Sequence, residues 1–269
     1  MVDWHRLFGL LLTDLFAGSP YVVEVERDLS LKQQILDVVI IRREAGEFTE
    51  RLPDGLEELA EHNLLTYKSH QQTLNAFAID ELLGHYVNYR KQISPSMDRL
   101  LPEEMFNLYA ICARTPEKLR KEVELETTTP GVYQARWGTH RVGILVLSEV
   151  LGESRNAIWE MFSGVAEKVA LGVRDYRYHI PDITTVIGDL LEYYGMEGLN
   201  MPYTIADYRR DYVLEHLKDL TPEQRLHGLS PDEVTSRLSL EDRLHGLSPE
   251  QIEAYLQRQK RKGRHDRKA

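Results

Sequence analysis

The alternation of apolar and polar residues divides the chain into a mixed first half and a helical second half. Residues 3–16 carry apolar side chains at positions 4, 7, 8, 11, 12, 15 and 16, which is the spacing of one face of an α-helix. Residues 21–26 alternate as a half-buried strand does. Residues 34–41 form an apolar run typical of a strand covered on both faces. The pattern then predicts a strand at residues 63–69 and a helix over residues 73–90.

The remaining apolar patterns predict further strands followed by helices. The strands are expected at residues 105–113, 132–137 and 142–150, and the helices at residues 116–121, 156–173, 183–194 and 205–217. This order is typical of an α/β fold in which helices flank a mixed sheet. We therefore expect a core domain over residues 1–150 and a helical extension over residues 151–217.

A leucine recurs every nine residues near the C-terminus, at Leu220, Leu229, Leu238, Leu247 and Leu256. Most of these leucines are followed by Ser or Thr, then Pro, then an acid, which is a helix-start signal. Residues 218–256 are therefore predicted to be short capped turns, each too short to be stable without packing on a neighbour. Two interpretations stay open: an arm for oligomerisation or partner binding, or an expanded repeat that contributes little.

Charge and cysteine content narrow the class of protein. The chain has 269 residues and a formal net charge of −10, which argues against a uniformly basic protein that coats nucleic acid. The last dozen residues are strongly basic, so residues 257–269 are predicted to be a basic disordered tail.

The single cysteine, Cys112, excludes an internal disulfide and favours a reducing compartment. No apolar run approaches the roughly 20 residues that span a bilayer, so we expect a cytoplasmic protein without membrane contact.

Two ionisable residues interrupt apolar strands. Asp37 lies inside the run at residues 34–41, and Lys68 lies near the end of the next predicted strand. An isolated charge is costly to bury, so Asp37 must be paired, metal-bound or protonated. The two residues are therefore the first candidates for a functional site.

The helix–strand–strand–strand–helix order around Asp37 and Lys68 resembles the PD-(D/E)XK nuclease core. The surrounding residues are similar to those of the Rpn family, the recombination-promoting, transposase-like nucleases. The similarity covers residues 1–115 as a fold and residues 218–256 as a repeat. It is carried by Glu24-Val25-Glu26, Ile35-Leu36-Asp37-Val38-Val39, Leu52-Pro53-Asp54-Gly55-Leu56-Glu57, His62-Asn63-Leu64-Leu65-Thr66-Tyr67-Lys68-Ser69 and Leu82-Leu83-Gly84-His85-Tyr86-Val87-Asn88-Tyr89-Arg90.

This resemblance implies a restriction-endonuclease-like fold and metal-dependent hydrolysis of DNA phosphodiesters. It assigns Asp37 as a Mg²⁺ ligand and Lys68 as the catalytic lysine, because Mg²⁺ prefers oxygen ligands and the lysine stabilises charge on the phosphate. The sequence departs from the family at Thr66, where the pattern has Glu or Asp. Glu26, or Glu24, is expected to replace that acid as a metal ligand, with Glu26 also counted as catalytic. A register shift of one residue would place these glutamates on the other face of the sheet.

Two functions therefore stay open. The first is a Mg²⁺-dependent, DNA-cleaving enzyme associated with transposition or recombination, either fully active or weakened. The second is a non-catalytic module that keeps the nuclease fold and binds partners, or assembles into homo-oligomers through the C-terminal repeats.

Overall fold

The structure, a computed structural model, describes residues 3–28, 35–46, 48, 50–180 and 183–265. The chain divides into two compact units, Met1–Arg209 and Arg210–Ala269, which are taken in turn. None of the described helices is long and apolar enough to cross a lipid bilayer.

The first unit alternates strands and helices. In chain order they are α1 (Trp4–Leu15), β1 (Tyr21–Asp28), β2 (Ile35–Arg42), β3 (His62–Lys68), α2 (Ala76–Ile93), β4 (Phe106–Cys112), α3 (Leu119–Glu122), β5 (Leu125–Thr129), β6 (Val132–Trp137), β7 (His140–Val146), α4 (Ala157–Met161), α5 (Ala166–Asp175) and α6 (Ile183–Met196). The next helix, α7 (Ile205–His216), crosses the boundary between the units. Short 3₁₀ turns occupy Glu103–Met105, Ser154–Asn156 and Leu217–Asp219.

The strands form one mixed sheet in the order β1-β2-β3-β4-β7-β6-β5. Strand β2 pairs antiparallel with β1 and with β3. Strand β4 pairs parallel with β3 and with β7. Strand β6 pairs antiparallel with β7 and with β5. The predicted α/β class, a mixed sheet flanked by helices with a helical C-terminal half, is confirmed. Strand β5 was not predicted, because its Leu-Glu-Thr-Thr-Thr sequence lies mostly exposed at the sheet edge and has no apolar signal.

Each face of the sheet has its own hydrophobic core. One core joins Val38, Ile40 and Leu65 to apolar residues of α1, α4, α5 and α6. The other joins Val39 and Leu64 to apolar residues of α2. Helices α1 and α2 therefore pack on opposite faces of β2 and β3.

The predicted boundary at residue 150 is not a domain boundary. Trp159, Leu190 and Tyr194, from the expected extension, lie in the same core as Phe8 of α1. The predicted helix over residues 156–173 is also divided into α4 and α5. It breaks at Gly164, whose φ of +67° is unfavourable for other residues.

The second unit consists of short helices that begin nine residues apart. They are α8 (Pro222–Leu226), α9 (Pro231–Ser236), α10 (Leu240–Leu244) and the longer α11 (Pro249–His265). Ser230 accepts from the amide of Glu233 while the Glu233 side chain accepts from the amide of Ser230, a reciprocal capping box. The expected disordered tail is helical as far as His265, because its Gln, Arg and Lys residues favour helix; residues 266–269 lie outside the described part.

Candidate active site

Asp37 lies where β2 and β3 stop pairing. The regular register between these strands ends at Val38 opposite Leu65. Beyond that point the Asp37 carboxylate takes the place of backbone pairing: its Oδ2 accepts from the Tyr67 amide at 2.8 Å and from the Thr66 hydroxyl at 3.0 Å. Thr66, the departure from the family pattern, is therefore a hydrogen-bond donor that fixes the acid on β2.

His5 of α1 contacts the other oxygen of the same carboxylate. Its Nδ1 lies 2.9 Å from Asp37 Oδ1, and the His5 side chain is 27% exposed. Trp4, Leu7 and Phe8 turn into the core, which leaves His5 at the edge of the buried helix face. The contact satisfies the requirement set by the sequence, because Asp37 is paired.

The contact between His5 and Asp37 shifts the pKa of each side chain in the direction that favours its charged form. Burial by itself would raise the pKa of Asp37, but contact with His5, the Tyr67 amide and the charge of Lys68 bring that pKa below its ordinary value of 3.8. Burial alone would lower the pKa of His5, but Asp37 outweighs it and raises that pKa above 6.5. Asp37 is therefore ionised at neutral pH, and its contact with His5 joins opposite charges when the imidazole is protonated.

Lys68 belongs to the same site. Thr66 and Lys68 are two residues apart on β3 and so point to the same side of the strand, and the Thr66 hydroxyl reaches Asp37. The ammonium is close enough to lower the pKa values of Asp37 and His5, although no direct ion pair joins Lys68 to Asp37 among the described residues. The two residues singled out from the sequence therefore lie close enough for the charge of Lys68 to act on the Asp37 carboxylate.

The charges of Asp37 and Lys68 also act on a second imidazole, that of His85 on α2. Burial lowers the pKa of His85; Asp37 and Glu81 act in the opposite direction, and Lys68 lowers it further. Its Nδ1 is buried and has no hydrogen-bond partner in the described part of the chain. We refer to His5, Asp37, Thr66, Lys68 and His85 as the Asp37 site.

Neither of the two glutamates expected beside Asp37 contacts it among the described residues. Glu24 pairs in register with Val39, and its carboxylate contacts Arg43 at 3.3 Å. Glu26 is exposed and has a φ of +50°, unusual for a residue other than glycine. The neighbouring pairs, Val25 with Val38 and Arg27 with Leu36, place Glu26 across from Asp37 in register. No hydrogen bond or ion pair joins Glu26 to Asp37 in the part of the chain that the structure describes.

The residues present do not fit the expected Mg²⁺ site. Within the described ranges, no group of three His, Cys, Asp or Glu side chains is placed to hold a metal ion. Both oxygens of Asp37 already have protein partners, and those partners are an imidazole, a hydroxyl and a backbone amide rather than further carboxylates. We therefore derive no chemical step through a metal from this arrangement.

A neighbouring cluster holds the first turn of α1 in place. Trp4 Nε1 donates to Glu197 Oε1 at 3.0 Å, and His70 Nε2 lies 2.9 Å from Glu197 Oε2. The Trp4 and His70 rings meet edge to face with centroids 5.3 Å apart. These contacts tie α1 to the segment after Lys68 and to the end of α6, so they position His5.

His5 and His85 were not predicted as site residues from the sequence. Each lies beside the apolar stripe of its helix, where a histidine is ordinary, and only the packing of α1 and α2 against the sheet brings them to Asp37.

No protein-family model, curated protein or solved structure matches the chain.

Proposed function

We propose that the chain acts on the phosphodiester backbone of nucleic acid, as a nuclease-like protein with a restriction-endonuclease-like core of the Rpn kind. The observation that carries the proposal is the meeting of Asp37 and Lys68, from adjacent strands, at one site. The order α1-β1-β2-β3-α2-β4, with β4 parallel to β3 and the two helices on opposite faces, also agrees with the PD-(D/E)XK resemblance.

The charges of the site suit a phosphodiester. The protonated form of His5 neutralises Asp37, which leaves the positive charge of Lys68 for the phosphate. The rest of the chain is acidic overall, so attraction for the backbone is local to such a site and falls as salt screens it.

The proposal is tested with supercoiled plasmid in Mg²⁺, comparing wild type with Asp37→Ala and Lys68→Ala. We expect each variant to nick at least about 100-fold more slowly, as when a positioned charge-stabilising group is lost. Binding of labelled DNA and RNA oligonucleotides, followed by fluorescence anisotropy, should weaken in Lys68→Ala. Equal nicking and equal binding by all three proteins would remove the proposal, and the same reactions in EDTA show whether cleavage depends on Mg²⁺.

The exposed leucines of the second unit favour a second candidate, a module that binds copies of itself. Leu229 and Leu247 are 51% and 48% exposed, and single capped turns are stable only when packed on a neighbour. Full-length Leu229→Ser/Leu247→Ser should then lose a concentration-dependent assembly that wild type shows in sedimentation velocity. That loss, together with the absence of cleavage of the plasmid by wild type, would favour the module over the enzyme.

A further inference from the structure

We infer, building on the proposed function, that the Asp37 site takes the nucleic-acid backbone without a divalent ion, because His5 occupies the place that such an ion would have against the Asp37 carboxylate. The resemblance to PD-(D/E)XK nucleases implies the opposite, a Mg²⁺ ion held by Asp37. The inference rests on the contacts of Asp37 and on the packing that holds His5 in place.

The Asp37 carboxylate has little capacity left for an ion. An ionised carboxylate offers about four lone-pair sites to hydrogen-bond donors or cations. On Oδ2, the Thr66 hydroxyl at 3.0 Å and the Tyr67 amide at 2.8 Å fill two of them. On Oδ1, His5 Nδ1 lies 2.9 Å away, and the Asp37 side chain is only 15% exposed. A Mg²⁺ ion would have to come within about 2.1 Å of that same oxygen, beside the imidazole.

The described residues do not supply the other ligands that an ion needs. Mg²⁺ requires near-ideal octahedral coordination by oxygen. Glu24 is engaged by Arg43 at 3.3 Å, and Glu26 makes no contact with Asp37 among the described residues although it lies across from it in register. The positive charge of Lys68, which acts on Asp37, opposes the approach of a second cation. An ion at Asp37 would therefore depend on water for most of its ligands.

His5 is held in place by the packing of α1. Phe8, three residues further along the helix, stacks on the Tyr67 ring with centroids 4.4 Å apart, and the amide of the same tyrosine binds the carboxylate. On the other side of His5, Trp4 Nε1 donates to Glu197 at 3.0 Å. The helix is anchored on both sides of His5, so a small shift of α1 does not make room for an ion.

The contact with His5 gives Asp37 what a metal ion would otherwise give it. A buried carboxylate needs a cation or hydrogen-bond donors as partners, and here the chain supplies them itself. The phosphodiester then meets Lys68 directly, with no ion between the protein and the phosphate oxygens. Binding should therefore be insensitive to chelation of divalent ions, and it should weaken as salt is added.

The first test counts bound Mn²⁺, which suits the same oxygen ligands as Mg²⁺, from the electron paramagnetic resonance signal of the free ion. Wild type and Asp37→Asn should bind equal amounts, because no ion reaches Asp37. At high Mn²⁺, His5→Ala should bind one further ion per chain, and His5→Ala/Asp37→Asn should not. His227→Ala alters an exposed histidine of the second unit and should match wild type. Circular dichroism shows that each variant is folded, and His5→Ser replaces His5→Ala if the latter is not.

The second test follows the binding of labelled DNA and RNA oligonucleotides by fluorescence anisotropy, in EDTA and in Mg²⁺ at equal ionic strength. Wild type should bind equally well in both solutions, and Lys68→Ala should bind more weakly in both. Lys91→Ala alters an exposed lysine in the last turn of α2; it is the matched control and should bind like wild type.

Each contrary outcome shows what has failed. Fewer Mn²⁺ ions on Asp37→Asn than on wild type, or no further ion on the folded His5 variant, overturns the inference while the proposed function stands. Nucleic-acid binding by wild type in Mg²⁺ but not in EDTA has the same meaning. Wild type that binds neither DNA nor RNA in either solution overturns the inference and the proposed function together.

Discussion

The two units of the chain are stabilised over very different distances in sequence. In the first unit, buried Asp14 of α1 accepts hydrogen bonds from the Tyr176 hydroxyl and from the amides of His179 and Ile180, more than 160 residues away. In the second unit, α8, α9 and α10 contain no buried residue although every residue in them is described, and their caps join residues three apart. The first unit should therefore unfold as a whole, and the second turn by turn.

The difference also separates what each unit can do chemically. A site such as that of His5, Asp37 and Thr66 needs three elements, α1, β2 and β3, held together by packing, as they are in the first unit. The second unit instead presents exposed apolar residues at a regular spacing, which suits contact with another surface better than chemistry. Equivalent substitutions in the two units test this contrast.

The largest difference in the free energy of unfolding is expected between substitutions of two aspartates, Asp54 and Asp232. Asp54 is 1% exposed; it contacts Arg155 at 2.7 Å and accepts from Asn156 at 2.8 Å. Asp54→Ala leaves Arg155 without that partner, and we expect a loss of about 3–5 kcal/mol in the free energy of unfolding. Asp232→Ala removes an exposed acid of α9 and should change it by less than about 0.5 kcal/mol. Urea unfolding followed by tryptophan fluorescence measures the first and backbone circular dichroism the second; similar losses would contradict the contrast.

A smaller difference in stability is expected between alanine substitutions of two glycines that have left-handed backbone conformations. Gly131 has a φ of +80°, and an added Cβ would lie 2.5 Å from the Val150 amide nitrogen. Gly228 has a φ of +87° with nothing within 4 Å of such a Cβ. Gly228→Ala should therefore cost only the backbone strain, about 1–2 kcal/mol, and Gly131→Ala should cost clearly more, because backbone atoms must move. Thermal unfolding of both variants measures the stability that each one loses. Equal losses would contradict the prediction and would show that Val150 can move away from the added Cβ at little cost.

The same contrast explains how much of the fold could be predicted from sequence. The second unit follows from local signals: a Ser or Thr cap, a proline and an acid place each helix start, and the structure begins α8 at Pro222 and α9 at Pro231. In the first unit, periodicity predicted α1, β2, β3 and α2 to within a few residues. It missed β5, whose polar sequence becomes a strand only because β6 pairs with it.

The candidate site was predicted only as far as single strands could show it. Asp37 and Lys68 could be predicted as site residues because a charge inside an apolar run needs a partner. The partner of Asp37 could not be predicted, because His5 lies 32 residues earlier on a helix and its neighbours do not indicate which strand it will contact. The expected role of Glu26 depended on the β1–β2 register, and the irregular backbone at Glu26 is a local feature that side-chain alternation does not encode.

The smallest expected effect is a difference in how the two units respond to pH. Asp37 has a folded pKa below 3.8 and His5 one above 6.5. The stability from their contact is therefore complete between those two values. It is lost as pH rises through the folded pKa of His5, and as pH falls through that of Asp37. In the second unit, a hydrogen bond from the backbone of Ser230 lowers the pKa of Glu233 below 4.5, so that cap loses stability only in acid.

Raising the pH from about 6 to about 8 should thus weaken the first unit's contact and leave the second unit's cap unchanged. The measurement is the difference in free energy of unfolding between wild type and His5→Gln at both pH values, which should shrink by up to about 1 kcal/mol, the usual size for a partly exposed pair. Glu233→Gln is the matched control, and its effect on the helical signal of the second unit should be the same at both values. A His5→Gln difference that does not change with pH would mean that the ring is held by packing against Tyr67 rather than by the charge of Asp37, and the site would then lack the ionised pair on which its chemistry depends.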